Sequence, residues 1–300
     1  MVLAALLAIT AAGPAMVPSS SVSAVHTHIS CSLMVLIGSS FRMKDNSDTL
    51  PLLTNPTLPQ RFRRLPVVDV GANDGRDYTL PAARLGHRVY SFEPTPSLYD
   101  KILNKIERAA PNVTHVSQLD GFVDAPRGAV YLQRAVAVSN RSGTASFTAT
   151  DKGGGTANSL NGVRALPRTM RRKAGTTNVS LTTLDAVLAA ETRGVFLLKI
   201  DAQGHEYHIL QGAKAFIALR PVYYILVEFY PKGLRAGGVD PLALLTLLQH
   251  EMGYQCFDLR CTGSKRGART LDEFVRSYPA VTANEFGSWT DLLCTRFDLL

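Results

Sequence analysis

From Arg61 onward, short apolar runs alternate with amphipathic stretches. Leu65–Val70 is apolar apart from Asp69, the pattern of a strand buried on both faces. Arg88-Val-Tyr-Ser-Phe reads as a second strand, ending in Glu93. Thr95 then caps a helix with Pro96 at its first position, and Leu98, Tyr99, Ile102, Leu103 and Ile106 fall on one face at helical spacing. Gly194–Ile200 and Val222–Glu228 are further buried strands, with a helix carrying Tyr207, Ile209 and Leu210 between them. Pro241–Met252 predicts a helix capped by Asp240 and closed by Gly253, followed by a strand at Tyr254–Leu259. Strands alternating with helices predict an α/β domain built on a parallel sheet, running over residues 61–300.

The first part of the chain has a different pattern. Residues 1–41 contain no Asp, Glu, Lys or Arg. An apolar run, Val2–Ala12, stops at Gly13-Pro14, and small residues at Val22-Ser23-Ala24 suit a cleavage point. Residues 1–44 are therefore expected to be a targeting leader or a disordered N-terminus. The leader reading suggests the secretory pathway or an organelle; the chain is otherwise cytoplasmic. Ser32–Ile37 is too short for a bilayer, which needs about 20 apolar residues. Residues 45–60, rich in proline and without a helical or strand period, read as a linker.

Composition narrows the class. The chain of 300 residues is 46% hydrophobic and 19% charged, enough apolar mass to fill a core and too much for a disordered or fibrous protein. The four cysteines are too few for a disulfide scaffold, and without C-x-x-C spacing they disfavour a structural zinc site. A net charge of +8 permits an acidic partner without naming one. The basic run Arg164, Arg168, Arg171, Arg172 and Lys173 has no interleaved aromatics, which argues against a single-strand nucleic-acid platform.

The candidate chemistry sits at strand ends. Leu65–Val70 delivers the turn Gly71-Ala72-Asn73-Asp74-Gly75. Gly71 is expected to let backbone approach a ligand and Gly75 to let the next helix pack closely. The loop departs from the dinucleotide fingerprint G-x-G-x-x-G, so NAD fits poorly. Asp69 ahead of the loop suits a ligand with an ammonium and a sulfonium, S-adenosyl-L-methionine. Glu93 at the second strand's end can accept both hydroxyls of a ribose. Asp201 and Glu228 end two more strands, and ligands of open parallel sheets sit outside such ends.

Taken together, VVDVGANDG, FEP, the stretch Val136–Phe147, and LTTLD ahead of LLKIDAQGHEYHILQGA resemble the FkbM family of methyltransferases. The resemblance runs from about Leu65 to Leu259 and extends to a strand at Trp289–Thr295. It implies a Rossmann-like class I methyltransferase fold: a mostly parallel central sheet flanked by helices, with one antiparallel strand near the C-terminus. It also implies S-adenosyl-L-methionine as cofactor and a hydroxyl on a small molecule or sugar as acceptor. The cofactor set is then Asp69, Gly71, Ala72, Asn73, Gly75, Glu93, Pro94 and Ala135.

For catalysis, Asp201 is the first candidate base, with Glu206 and Glu228 orienting the acceptor or sharing its proton and His205 as another possible base. One common family form has an acid where this chain has Gln203, so a carboxylate is lost. The remaining oxygen-rich set is thin for a hard cation, and no metal is expected. The competing readings are a non-catalytic S-adenosyl-L-methionine-binding module and an NAD-linked oxidoreductase. Nucleic acid is disfavoured as a partner, no transmembrane span stands out, and nothing speaks to oligomeric state. The glycines Gly153–Gly155 suggest a loop covering the substrate. Asn112, Asn140 and Asn178 begin N-glycosylation sequons.

Overall fold

The computed structural model describes residues 27–30, 60–108, 112–150, 160, 174–261, 265–280 and 287–299. Most of the expected leader, residues 45–59 of the linker, the glycine triplet and the basic run Arg164–Lys173 lie outside the described residues. The strands are β1 (His28–Ile29), β2 (Val67–Val70), β3 (Val89–Phe92), β4 (Thr114–Val116), β5 (Ala129–Leu132), β6 (Val136–Val138), β7 (Gly143–Thr150), β8 (Ala174–Thr182), β9 (Val195–Ile200), β10 (Val222–Phe229), β11 (Gln255–Asp258), β12 (Arg269–Thr270) and β13 (Thr290–Thr295). The helices are α1 (Thr79–Arg84), α2 (Pro96–Arg108), α3 (Leu184–Val187), α4 (Glu206–Gln211), α5 (Lys214–Leu219), α6 (Pro231–Ala236), α7 (Pro241–Thr246) and α8 (Leu271–Ser277).

An eight-stranded sheet carries the fold, in the order β11-β13-β10-β9-β2-β3-β5-β4. Its strands pair in parallel except at β13, which runs antiparallel to both β10 and β11. Every residue of β2, β3 and β9 is buried, because helices cover both faces of the sheet and leave no polar side to the strand. On α2, Leu98, Ile102 and Ile106 face the core while Lys101, Asn104 and Glu107 stay exposed. Asp240 opens α7 by accepting the Leu242 N–H at 3.1 Å, as the sequence leads one to expect. The helix is shorter than expected, passing after Thr246 into a wider π-type turn at Leu247–Glu251.

The chain runs from β2 to one side through β3, β4 and β5, then returns to lay β9 and β10 on the other side of β2. The gap outside the carboxyl ends of β2 and β9 is therefore the topological switch point, where ligands of such sheets bind. A separate three-stranded sheet, β6-β8-β7, stands beside it.

The structure also reaches ahead of residue 61. His28 and Ile29 pair antiparallel with Thr270 and Arg269, and Ile29 is wholly buried in the core. Residues 27–30 thus pack on the domain, although they lie within the uncharged stretch that reads locally as leader. β11 and β13 are joined covalently: Cys256 and Cys294 are register partners and form a disulfide. Among the described residues no helix is long and apolar enough to cross a membrane.

Candidate active site

A cavity of about 380 Å³ opens at the switch point. Its floor is the glycine loop after β2. Gly71, Asn73 and Gly75 all adopt positive φ, at 76°, 53° and 73°. A Cβ on Gly71 would stand 1.8 Å from the Asp201 carbonyl oxygen, so this glycine lets the β2 and β9 loops touch each other. At Gly75 a Cβ would press Ile102 at 3.2 Å, so the close packing is with α2, not with the next helix, α1, as expected.

Glu93 lies in the cavity wall, only 5% exposed. Its two oxygens accept the backbone N–H groups of Asn73 and Thr95, each at 2.9 Å. Burial pushes its carboxyl up to about 7, against the pull of those hydrogen bonds. The Thr95 side chain donates to Glu93 as well, so of the roughly four acceptor positions of a carboxylate one remains for a ligand hydroxyl. Gly71, Ala72, Asn73 and Pro94 line the same wall.

Asp69 is placed differently from the expectation. It lies below the cavity wall, where Oδ2 accepts both the N–H and the hydroxyl of Thr79, at 3.1 and 2.7 Å. Its other oxygen is 3.2 Å from Lys199 Nζ. Asp69 therefore ties β2 to the start of α1 and neutralises Lys199. Lys199 is itself on the cavity wall and donates to the Gly71 carbonyl at 2.6 Å, bracing the loop. Burial works against its ammonium, but Asp69 and Asp201 outweigh it and the pKa is raised. Ala135 is also off the wall: at φ 56° its carbonyl accepts the Ser180 N–H, and its neighbours Ala137 and Val138 line the cavity instead.

A second stretch of the cavity wall, after β9 and β10, is acidic. Gln203, at φ 54°, donates its amide to Asp201 Oδ1 at 2.9 Å and to the Glu228 oxygens at 3.1 and 3.3 Å. Asp291 on β13 is the register partner of Glu228 on β10 and completes the group. Burial first, then the neighbouring carboxylates, lift Glu228 well above its usual range and Asp291 to about 6. Arg260 lies 3.9 Å from Asp291 and covers the Trp289 ring at 3.0 Å from its centroid. Asp291, Trp289 and Lys199 have no place among the site residues expected from sequence. Their signal is register across the sheet, which a single strand's pattern does not carry.

The two remaining candidates separate. His205 is on the wall, with Nε2 2.9 Å from Ser139 Oγ, and burial beside His208 lowers its pKa to about 3. Such a ring is neutral at pH 7 and a weak base. Glu206 is fully buried behind the loop, and Oε1 accepts the N–H groups of Ala202 and Gly204 at 3.0 and 2.9 Å. Its place is the scaffold of the 201–206 turn rather than the cavity wall.

The family profile of the methyltransferase FkbM domain matches residues 69–256, from Asp69 at the glycine loop to Cys256 on β11. The chain belongs to the FkbM methyltransferase family. It is a methyltransferase, and its cofactor is S-adenosyl-L-methionine. Among solved structures, an O-methyltransferase from Bacillus cereus in complex with SAH aligns over 99% of this chain and 100% of its own, at 14% identity and a TM-score of 0.38. No curated protein matches the sequence.

The cavity fits the cofactor of an FkbM methyltransferase. Glu93 is a desolvated acid with acceptor capacity facing the space, and the loop beside it presents backbone without side-chain bulk at Gly71. The volume lies within the range of about 300–1,000 Å³ typical of small-molecule sites.

Proposed function

We propose that this FkbM methyltransferase transfers a methyl group to a hydroxyl of a small molecule or sugar, with Glu93 holding the cofactor and Asp201 taking the acceptor's proton. The observation that carries this reading is the carboxylate group joined by Gln203 in the cavity wall. When bound, S-adenosyl-L-methionine supplies an electrophilic methyl carbon whose thioether leaving group needs no proton. The protein's work is then to position an acceptor oxygen and receive its proton.

Asp201 is suited to that task because its side chain is 43% exposed while its partners Gln203 and Glu228 are fixed. The Gln203 amide steadies Asp201 Oδ1, and Oδ2, 4.0 Å from Lys199 Nζ, is the oxygen offered to the acceptor hydroxyl. Glu228 and Asp291 hold protons more tightly than ordinary carboxyls and so are placed to share a proton with a second acceptor group. Trp289 and Tyr230 add flat apolar wall beside them. Glycine-loop residues Gly71, Ala72 and Asn73 with Pro94 frame the cofactor end.

The test is methyl transfer from labelled cofactor to a panel of hydroxyl-bearing small molecules and sugars, with product ethers identified by NMR. A general base contributes about 10²–10⁴-fold. Asp201→Asn is expected to lower kcat by that order while cofactor affinity stays the same. Methylation confined to amines or thiols would refute the oxygen acceptor, and an unaffected Asp201→Asn would refute the base.

A further inference from the structure

We propose that this domain matures in an oxidising, glycosylating compartment and carries N-linked glycans at Asn112 and Asn178. The inference is independent of the acceptor chemistry and rests on two separate observations.

The first is the geometry of the sequons. In Asn112-Val113-Thr114 and Asn178-Val179-Ser180 the central valine is buried, to 7% and 2% exposure, while the asparagine and the hydroxyl residue on either side are exposed. At Asn178–Ser180, within β8, strand alternation produces this: a period of two turns the first and third residues outward together and the second into the core. Asn112 lies in the turn two residues ahead of β4, which ends the eight-stranded sheet. A glycan there would also shield an open edge from pairing with another chain. Asn178 lies on β8 opposite Ser146 of β7. The third sequon is built differently. The Asn140 amide donates to Gln211 at 3.4 Å, and its neighbour Ser139 meets His205 on the cavity wall. The assignment is therefore to Asn112 and Asn178.

The second observation is the state of the cysteines. Cys256 and Cys294 are buried, to 2% and 0% exposure, and disulfide-bonded. Cys261 is disulfide-bonded as well, and no described cysteine is free. Such bonds persist in secretory compartments and are rare where thiol reductants prevail. The uncharged apolar opening of the chain, Val2–Ala12, reads toward the same destination, and cleavage after Ala24 would leave His28 and Ile29 in place on the domain.

Both reactions balance with the agents of that compartment. Each disulfide forms as two thiols lose two electrons and two protons to a disulfide-bearing oxidoreductase. Each glycan forms one bond between the asparagine Nδ2 and a sugar C1, as the lipid pyrophosphate carrier leaves and the amide gives up a proton.

The experiment is to express the full chain in a eukaryotic secretory host and purify the folded protein. It is then treated with peptide-N-glycosidase in heavy-oxygen water, and its peptides are mapped by mass spectrometry. Asn112 and Asn178 are expected as heavy-oxygen aspartates, and denatured unreduced protein is expected to take no iodoacetamide at Cys256 or Cys294. Asn112→Gln and Asn178→Gln are each expected to remove one glycan. An unmodified asparagine at either position overturns that site. Both unmodified, or both cysteines alkylated without reductant, overturns the compartment.

Discussion

The amide of Gln203 lies 2.9 Å from Asp201 Oδ1 and also reaches Glu228, so one neutral donor holds two carboxylates in a single cluster. An acid in this position would replace attraction by repulsion among three carboxylates. Hydrogen bonds to charged groups contribute about 1.5–3 kcal/mol, so Gln203→Ala should lower kcat/KM roughly 10–150-fold. Gln203→Glu should move the acid limb of the pH–rate profile upward, because a further negative charge raises its neighbours' pKa values. Profiles that match wild type in both variants would contradict this role.

Glu206 organises its turn through two backbone N–H groups on one oxygen, while its other oxygen has no hydrogen-bond partner among the described residues. Its folded-state carboxyl is raised by burial to about 7, above its unfolded value of about 4.5. The folded state thus binds the proton more tightly. Its contribution to stability is fullest below about pH 4.5 and is lost as pH rises through 7, a change on the order of 3 kcal/mol. Glu206→Gln keeps both backbone bonds and removes the buried charge. It should unfold at higher urea than wild type at pH 8, with the gap closing at pH 4.5, and should retain activity. Glu206→Ala strands two backbone donors and should destabilise at both pH values by about 1–3 kcal/mol. Loss of turnover in a well-folded Glu206→Gln would instead restore Glu206 to the chemistry.

His205 touches Ser139 and the cavity, but its pKa near 3 leaves it neutral throughout the working range. His205→Gln should change kcat/KM by less than about tenfold and leave the pH–rate limbs where they are. Loss of a limb near pH 6–7 in that variant would show that the ring carries the titrating proton.

The Cys256–Cys294 bond closes a segment of 38 residues. Reduction should lower the unfolding free energy by about 2–4 kcal/mol on the chain-entropy account. β13 should loosen first, exposing its amides to hydrogen exchange. Since Asp291 and Trp289 lie on or beside that strand, acceptor KM should rise more than cofactor Kd. Equal effects on both would contradict this coupling.

The strands were legible because burial on both faces leaves an unbroken apolar run, as in Val195–Ile200. Glu93, an acid at a strand end beside a glycine turn, lies in the cavity wall. Asp69 looked the same locally, yet it is committed to Thr79 and to Lys199, its register partner on β9. By sequence Gly71 suits the approach of a ligand, but its tightest contact is with a carbonyl distant in the chain, that of Asp201. Asp291 and the Cys256–Cys294 bond both depend on the antiparallel seating of β13 between β10 and β11. Ile29 was hidden for the opposite reason: its uncharged surroundings read as leader, and its distant neighbours β12 and β11 show where it packs.

The central claim, that Glu93 anchors the cofactor in the cavity between the β2 and β9 loops, is tested most directly by calorimetric titration of the full chain with S-adenosyl-L-methionine. The wild type is expected to bind, and Glu93→Ala to bind roughly 10–150-fold more weakly, with the folded state verified by circular dichroism. Undiminished affinity in a folded Glu93→Ala would place the cofactor elsewhere and contradict the account.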